Sequence, residues 1–104
     1  MILSTIETVP GREIESIIGL ARGNVVRARF AGRDFIAGLR TLIGGEVTEY
    51  TSLMAEARDQ AMERLVQNAE SLGADAVVNI RFSTSMILQG TSEILAYGTA
   101  VRLR

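Results

Sequence analysis

The most regular pattern of apolar and polar positions lies in the centre of the chain. Over residues 49–72 apolar side chains recur every three or four positions, which places them on one face of an α-helix. Thr48 is a candidate N-cap, and Gly73 is a candidate C-terminal stop. The pattern therefore predicts a long helix, roughly 36 Å at about 1.5 Å per residue. Its apolar face consists of Tyr50, Leu53, Met54, Ala57, Ala61, Leu65, Ala69 and Leu72.

Small side chains make part of this helical face shallow. Ala57, Ala61 and Ala69 would let the helix backbone approach a sheet or a neighbouring subunit closely. We therefore expect that a larger side chain at Ala61 would overpack the contact.

After Gly73 the spacing of apolar positions changes to two residues. Residues 78–85 alternate in character, with Val78, Ile80, Phe82 and Thr84 on one predicted face, which is typical of a strand. Gln89-Gly90 is a turn signal, so the pattern predicts a hairpin whose second strand covers residues 94–103. Ala96, Gly98 and Ala100 share one face of that second strand. Its other face carries Leu95, Tyr97, Val101 and Leu103.

The N-terminal part of the chain has weaker patterns. The pattern of residues 1–10 predicts a short strand that ends at a turn, for which Pro10-Gly11 is the signal. Residues 12–30 contain two apolar runs on either side of Gly23-Asn24, a pair that readily takes positive φ, and this predicts a first hairpin. The spacing over residues 12–22 also fits a helix, which is the competing interpretation.

A short first helix is predicted before the long one. Residues 32–42 have helical spacing, and Gly44-Gly45 would end the helix. We find no repeat, linker or low-complexity stretch, so we expect one domain over residues 1–104.

The composition excludes much of enzyme and metal chemistry. The chain has no cysteine and no histidine, so it lacks soft metal ligands and the usual nucleophile–base pairs. Its 11 basic and 12 acidic residues leave no overall field that would attract nucleic acid or an anionic membrane. It has neither a spanning apolar run nor a signal-peptide pattern, so we expect a cytoplasmic protein.

Four carboxylates occupy the helical face opposite the apolar one. Their oxygens could collect Mg²⁺ or Ca²⁺, but a solvated outer face is the simpler interpretation, because no glycine-bent ligand loop accompanies them. These residues are Glu56, Asp59, Glu63 and Glu70.

All basic residues are arginines, and several could form an anion site. We favour a structural role for them, such as ion pairs with the acidic helix of another subunit, because no phosphate-binding glycine motif is present. They are Arg27, Arg29, Arg33 and Arg40. Glu49-Tyr50, with Arg33-Asp34, is the one constellation suited to acid–base chemistry, although packing explains Tyr50 more simply.

The chain resembles the YbjQ-like family of small bacterial and archaeal proteins over nearly its whole length. Each motif is weak alone, but their combination is specific. The motifs are Arg33-Asp34, Gly44-Gly45, Tyr50, Ala57-Arg58, Ala61, Ala69, the run from Leu72 to Val77, and Tyr97-Gly98-Thr99-Ala100-Val101.

This resemblance implies a fold and an assembly. The expected subunit is an α+β, two-layer, dodecin-like domain with antiparallel β-hairpins, one short helix and one long helix, and five subunits are expected to form a ring. The family is labelled as heavy-metal-binding, which this chain does not fit because soft metals need thiolate or imidazole ligands. We therefore expect no cofactor and no metal.

The resemblance supplies no established catalytic residue. It leaves Arg33, Asp34, Tyr50 and Arg58 as candidate ligand-binding positions, whose role can equally be structural. The function expected is a non-enzymatic homo-oligomer that binds a small ligand or a protein partner, without nucleic acid or membrane. The alternative is an anion- or metabolite-binding module, or an enzyme, that uses arginines and carboxylates near a subunit interface.

Overall fold

The computed structural model describes residues 1–28 and 48–104, apart from the side chains of residues 28 and 48–50. The described elements form an α+β arrangement, with a helix packed on a mixed sheet, as expected. Along the chain they are β1 (Ile2–Leu3), β2 (Ile14–Ala28), α1 (Thr48–Ser71), β3 (Ala76–Leu88) and β4 (Thr91–Leu103). The strand order is β1-β3-β4-β2, where β1 is parallel to β3 and the other pairs are antiparallel. The predicted short helix over residues 32–42 lies outside the described residues.

The long helix α1 is confirmed, and Gly73 ends it. The Ala74 amide donates to the Ala69 carbonyl at 3.1 Å and the Gly73 amide donates to the Glu70 carbonyl at 3.0 Å. Gly73 has a φ of 77°, which completes a Schellman motif. The chain then turns through Asp75, whose Oδ2 accepts a hydrogen bond from the Leu103 amide at 2.9 Å. The helix is thereby followed directly by β3. None of the helices in the described ranges is long and apolar enough to cross a membrane.

The alanine face of α1 packs on the sheet, as the sequence predicted. Ala57, Ala61 and Ala69 are completely buried, together with Leu65. The sheet presents small residues to them, and the small face of β4 is confirmed. A Cβ atom at Gly98 would come within 2.7 Å of Val77 Cγ1, so only glycine fits there. The helix-side core also contains Ala21, Val25, Val77, Ile80, Ile94, Ala96 and Ala100.

The predicted hairpin at Gly23-Asn24 is wrong, as is the competing helix. Residues 14–28 form one strand, β2, that pairs with β4 along its length, and Gly23 lies opposite Ala96 in the middle of this ladder. Gly23 is required for a different reason. A Cβ atom on it would overlap the Leu65 amide nitrogen and the Ala61 carbonyl oxygen, because the helix backbone rests on the strand backbone there.

The predicted N-terminal strand is shorter than expected. β1 contains two residues, and it pairs parallel to β3 rather than in an antiparallel hairpin. Residues 4–12 then form a covering segment at the edge of β3, where the Ser4 amide donates to the Val77 carbonyl at 2.9 Å. Val9 in this segment is buried in a second core cluster on the far face of the sheet. This cluster also contains Ala76, Val78, Val101 and Leu103.

The simple alternation predicted for β3 is interrupted at Asn79. This residue has a φ of 55°, and the register with β4 shifts between Val78 and Arg81. Because of this bulge, Val78 lies in the far-face cluster whereas Ile80 lies in the helix-side core. The two residues therefore lie on opposite faces, which corrects the prediction that they share one.

Candidate functional site

Of the four candidate positions, only Arg58 has a side chain among the described residues. Arg33 and Asp34 lie outside the described ranges, and so does the side chain of Tyr50, whose backbone belongs to the first turn of α1. Arg58 is exposed on α1. The proposed grouping of these residues thus remains a prediction.

Among the described residues, those that cover the outer edge of β3 lie along its first part. The N-terminal segment bonds to it up to Ile80, whose amide donates to the Ser4 carbonyl at 3.1 Å. The Arg81 guanidinium closes this region by donating to the Thr5 carbonyl at 2.7 Å. Beyond Arg81, no described residue outside β4 makes a backbone hydrogen bond to β3.

Large apolar side chains crowd this uncovered part of β3. Phe82, Ile87 and Leu88 are about half exposed, and Met86 is 73% exposed. Phe82 and Met86 lie on the same side of the sheet, since they face Ala96 and Ser92 of β4 in the antiparallel register. Large contiguous patches of exposed apolar side chains mark interaction surfaces, so this part of β3 is a candidate for one.

The other edge of the sheet, formed by β2, is partly capped by helix side chains. The Arg22 amide donates to Asn68 Oδ1 at 3.0 Å, and the Arg64 guanidinium donates to the Asn24 carbonyl at 2.7 Å. Two outward-facing backbone groups in the middle of β2 are thus already satisfied. The register of β2 also shifts twice, between Ile14 and Ser16 and between Ile17 and Gly19. Both devices protect a strand edge from pairing.

The face of β2 that points away from α1 carries three exposed apolar side chains, and the exposed Arg22 and Asn24 lie on the same face between Leu20 and Val26. Ile17 is 73% exposed, Leu20 is 59% exposed and Val26 is 51% exposed. Their partners in the β2–β4 register are Val101, Thr99 and Glu93. These three side chains do not belong to the far-face cluster around Val9.

Arg27 is the one arginine of the predicted anion group that lies in the described residues. Its guanidinium donates to Gln60 Oε1 at 2.7 Å, and its buried Nε has no hydrogen-bond partner in residues 1–28 and 48–104. An arginine held near the helix by a neutral amide keeps its charge available for an anion. Arg29, Arg33 and Arg40 lie outside the described ranges.

The fold places this chain among α+β domains with a helix packed on a four-stranded mixed sheet. Residues 1–104 match the family described as "Putative heavy-metal-binding", YbjQ. The chain belongs to this family.

Relatives from distant organisms match over the full length. A UPF0145 protein from Halorubrum lacusprofundi is 58% identical over all of both chains. A UPF0145 protein from Colwellia psychrerythraea is 57% identical, covering all of this chain and 99% of the relative. One from Archaeoglobus fulgidus is 53% identical, covering all of this chain and 96% of the relative. A crystal structure of a DUF74-family protein of unknown function from Pediococcus pentosaceus has a TM-score of 0.70 at 14% identity, covering 100% of this chain and 98% of that one.

The residues of this chain do not fit the heavy metal that the family description names. Soft metals are held by thiolate, imidazole or clustered thioether ligands, and the chain has no cysteine or histidine. Met54 and Met62 are partly buried against the helix-side core, whereas Met86 is exposed on β3. Within residues 1–28 and 48–104, no three acidic side chains are grouped to hold an ion. Glu56, Asp59, Glu63 and Glu70 are all exposed on α1.

Sequence reasoning missed the uncovered edge of β3. A signal was present, since residues 82–88 contain no charge, proline or glycine, the residues that normally protect an edge. The signal becomes useful only when the strand order is known. At Gly23 the signal was present but was misinterpreted, because glycine is typical both of turns and of close backbone contacts.

Proposed function

We propose that this protein functions as a non-enzymatic homo-oligomeric ring whose assembly creates a binding surface for a small ligand or a protein partner. The observation that carries the proposal is the exposure of three large apolar side chains, Ile17, Leu20 and Val26, on one face of β2. Three large apolar side chains on one strand face are costly to leave in water, at about 25 cal/mol per Å² of apolar surface. A second copy of the chain would cover them.

The opposite edge of the sheet carries a second exposed apolar surface. Met1, Ile2, Leu3 and Ile6 are all about half exposed on or near β1. The strand order places β1 and β2 at opposite edges of the sheet. Two different apolar surfaces at opposite edges support head-to-tail contact, and such contact generates a closed ring when the rotation between copies closes.

The dimensions of the single chain also support assembly. Its Cα radius of gyration is 17.1 Å, and its principal extents are 54 × 23 × 16 Å. A compact domain of this length has a radius near 13 Å. The elongated subunit leaves more surface uncovered than a compact one, so it gains more from association. Five subunits is the number that the family resemblance implies.

Sedimentation velocity of the untagged chain tests this proposal. We expect a homo-oligomer, and we expect Leu20→Glu to shift the protein to smaller species because it introduces a charge into the contact. Ser52→Glu, on the exposed surface of α1, is the matched control and should leave the oligomer unchanged. A wild-type monomer would overturn the proposal. If the Leu20→Glu variant stayed oligomeric, the β2 face would be shown not to take part in the contact.

Arg27 supports a second candidate function, an anion-binding module. Its buried and unpartnered Nε, together with a guanidinium held by a neutral amide, suits a phosphate or a carboxylate ligand. A thermal shift series with inorganic phosphate and with citrate tests it. Stabilisation that disappears in Arg27→Gln and in Arg33→Ala would support this function. The absence of any anion-dependent shift would remove it.

A further inference from the structure

The uncovered part of β3 has a nearly symmetric sequence. Thr84 lies at the centre, Ser83 and Ser85 flank it, and the apolar residues Phe82 and Met86 follow on either side. When a strand pairs antiparallel with a copy of itself, residues at equal distances from the centre face each other. A symmetric sequence therefore makes the strand complementary to its own copy.

We propose that residues 82–86 of β3 pair antiparallel with the same residues of a second copy, about a two-fold axis at Thr84. The sheets of two subunits then become continuous. This inference uses another surface and another symmetry than the proposed ring, and it rests on the ring for its strength, because five such pairs would form together.

The hydrogen-bonding geometry of β3 suits this pairing. The register with β4 is regular from Arg81 to Met86 and shifts on either side, after Val78 and before Leu88. The symmetric sequence therefore coincides with the regular stretch. Its outer backbone groups have no described partner, and no proline or charge blocks them between residues 82 and 86.

The side chains would also match across the two-fold axis. Phe82, Thr84 and Met86 share one side of the sheet, because they face alternate residues of β4. In the proposed register, Phe82 faces Met86 of the second copy, and Met86 faces Phe82. Aromatic rings and thioethers make favourable contacts, and cross-strand apolar pairs stabilise antiparallel sheets. The four side chains would form one apolar cluster that removes the exposed surface.

The other free edge is a poorer partner for β3. In the middle of β2, the Arg22 amide and the Asn24 carbonyl are already bonded to Asn68 and Arg64 of α1. A strand adding to that edge would have to displace both side chains. The edge of β3 has no such bonds within the described chain, so its best partner is the same edge of a second copy.

One such pair covers only five residues, so it would be weak by itself. In a ring of five, the five pairs between two rings form together, and the combined binding is far stronger than a single pair. A ring and a two-fold contact together close an assembly of ten copies.

Cysteine cross-linking tests the pairing directly, because the chain contains no cysteine of its own. Thr84 should lie opposite Thr84 of the second copy, with Cα atoms about 4.5–5.5 Å apart, which a disulfide spans. Ser83 should lie diagonal to Ser83, about 7–8 Å away, which a disulfide does not span without movement. We expect Thr84→Cys to give disulfide-linked dimers under oxidation and Ser83→Cys alone to give none. A mixture of Ser83→Cys and Ser85→Cys should again be linked.

Two results would overturn the inference. One is the absence of a Thr84→Cys dimer, and the other is a Ser83→Cys dimer that forms equally well. A link between Thr84→Cys and Asn24→Cys in a mixture would assign the edge of β2 as the partner instead, and would also overturn it. Sedimentation of the reduced variants reports whether they assemble at all. Failure of the β3 pairing is therefore distinguishable from failure of the proposed oligomer.

Discussion

Gly23 of β2 lies directly against the backbone of Ala61 in α1. A Cβ atom on Gly23 would overlap the Ala61 carbonyl oxygen and would come within 2.7 Å of the Arg64 carbonyl carbon. These are backbone atoms of a helix, so they cannot move aside as a flexible side chain can. The contact explains why Ala57 and Ala61 on the facing side of the helix are small, since a larger residue at the contact would separate the two elements.

Gly23→Ala should therefore destabilise the protein by about 3 kcal/mol or more, at or beyond the upper end of usual overpacking costs. Urea denaturation measures the change. Gly11→Ala is a demanding control, because Gly11 has a φ of 83° but no atom lies within 4 Å of its Cβ position. Its cost should stay near the ~1–2 kcal/mol of left-handed backbone strain. Equal losses at the two positions would contradict the close backbone contact.

The same contact can be tested from the side of the helix. Ala61→Leu should cost about 1–3 kcal/mol because Ala61 is completely buried against the sheet. Ala55→Leu is the matched control, since Ala55 is partly exposed on the same helix. We expect its melting temperature to change far less. An unchanged melting temperature for Ala61→Leu would show that the helix is not seated as described.

Asn68 and Arg64 protect the edge of β2, so removing them should have two effects. Asn68→Ala should cost about 1 kcal/mol for the lost bond to the Arg22 amide. The double variant Asn68→Ala, Arg64→Ala should also associate further with time, because it uncovers two backbone groups of an edge strand. Light scattering follows this association. Gln67→Ala, exposed on α1, should show neither effect, and a stable double variant without new association would refute the protective role.

The family description makes metal binding a direct test. Titration of the protein with Zn²⁺ or Cu²⁺ should give no stoichiometric binding, because no thiolate or imidazole is available. The readout is competition with a chromophoric chelator. Stoichiometric binding at micromolar concentration would contradict this expectation, and the variant Glu63→Gln would then show whether the acidic face of α1 contributes.

Sequence periodicity predicted the parts of the fold in which local pattern and burial agree. The helix α1 and its stop at Gly73 were correct, because one buried face imposes a clear period on the helix. The β3–β4 hairpin was also correct, since Gln89-Gly90 marks its turn, although the bulge at Asn79 interrupts the alternation of β3. The errors arose where the role of a residue is set by contacts with residues that are distant in sequence. Gly23 resembles a turn glycine, yet glycine is required there because the backbone of α1 rests on β2. Likewise, no local pattern reveals that β1 pairs with β3.

The candidate site was less predictable than the fold. Motif positions such as Arg58 carry no information about exposure, and the structure places this residue on the open surface of α1. The uncovered edge of β3 depends on the strand order, which brings residues together across the whole chain. The symmetric sequence around Thr84 is present in the sequence itself, but it indicates self-pairing only once the outer edge of β3 beyond Arg81 is known to have no described partner.

Native mass spectrometry of the untagged protein tests most directly whether this chain works as an assembly. A ring of five joined through β3 to a second ring predicts a mass of ten chains of 11.3 kDa each. A mass of five chains would support the ring and exclude the β3 pairing. A mass of two chains would support the β3 pairing and exclude the ring. The mass of a single chain would contradict both, and with them the proposed function.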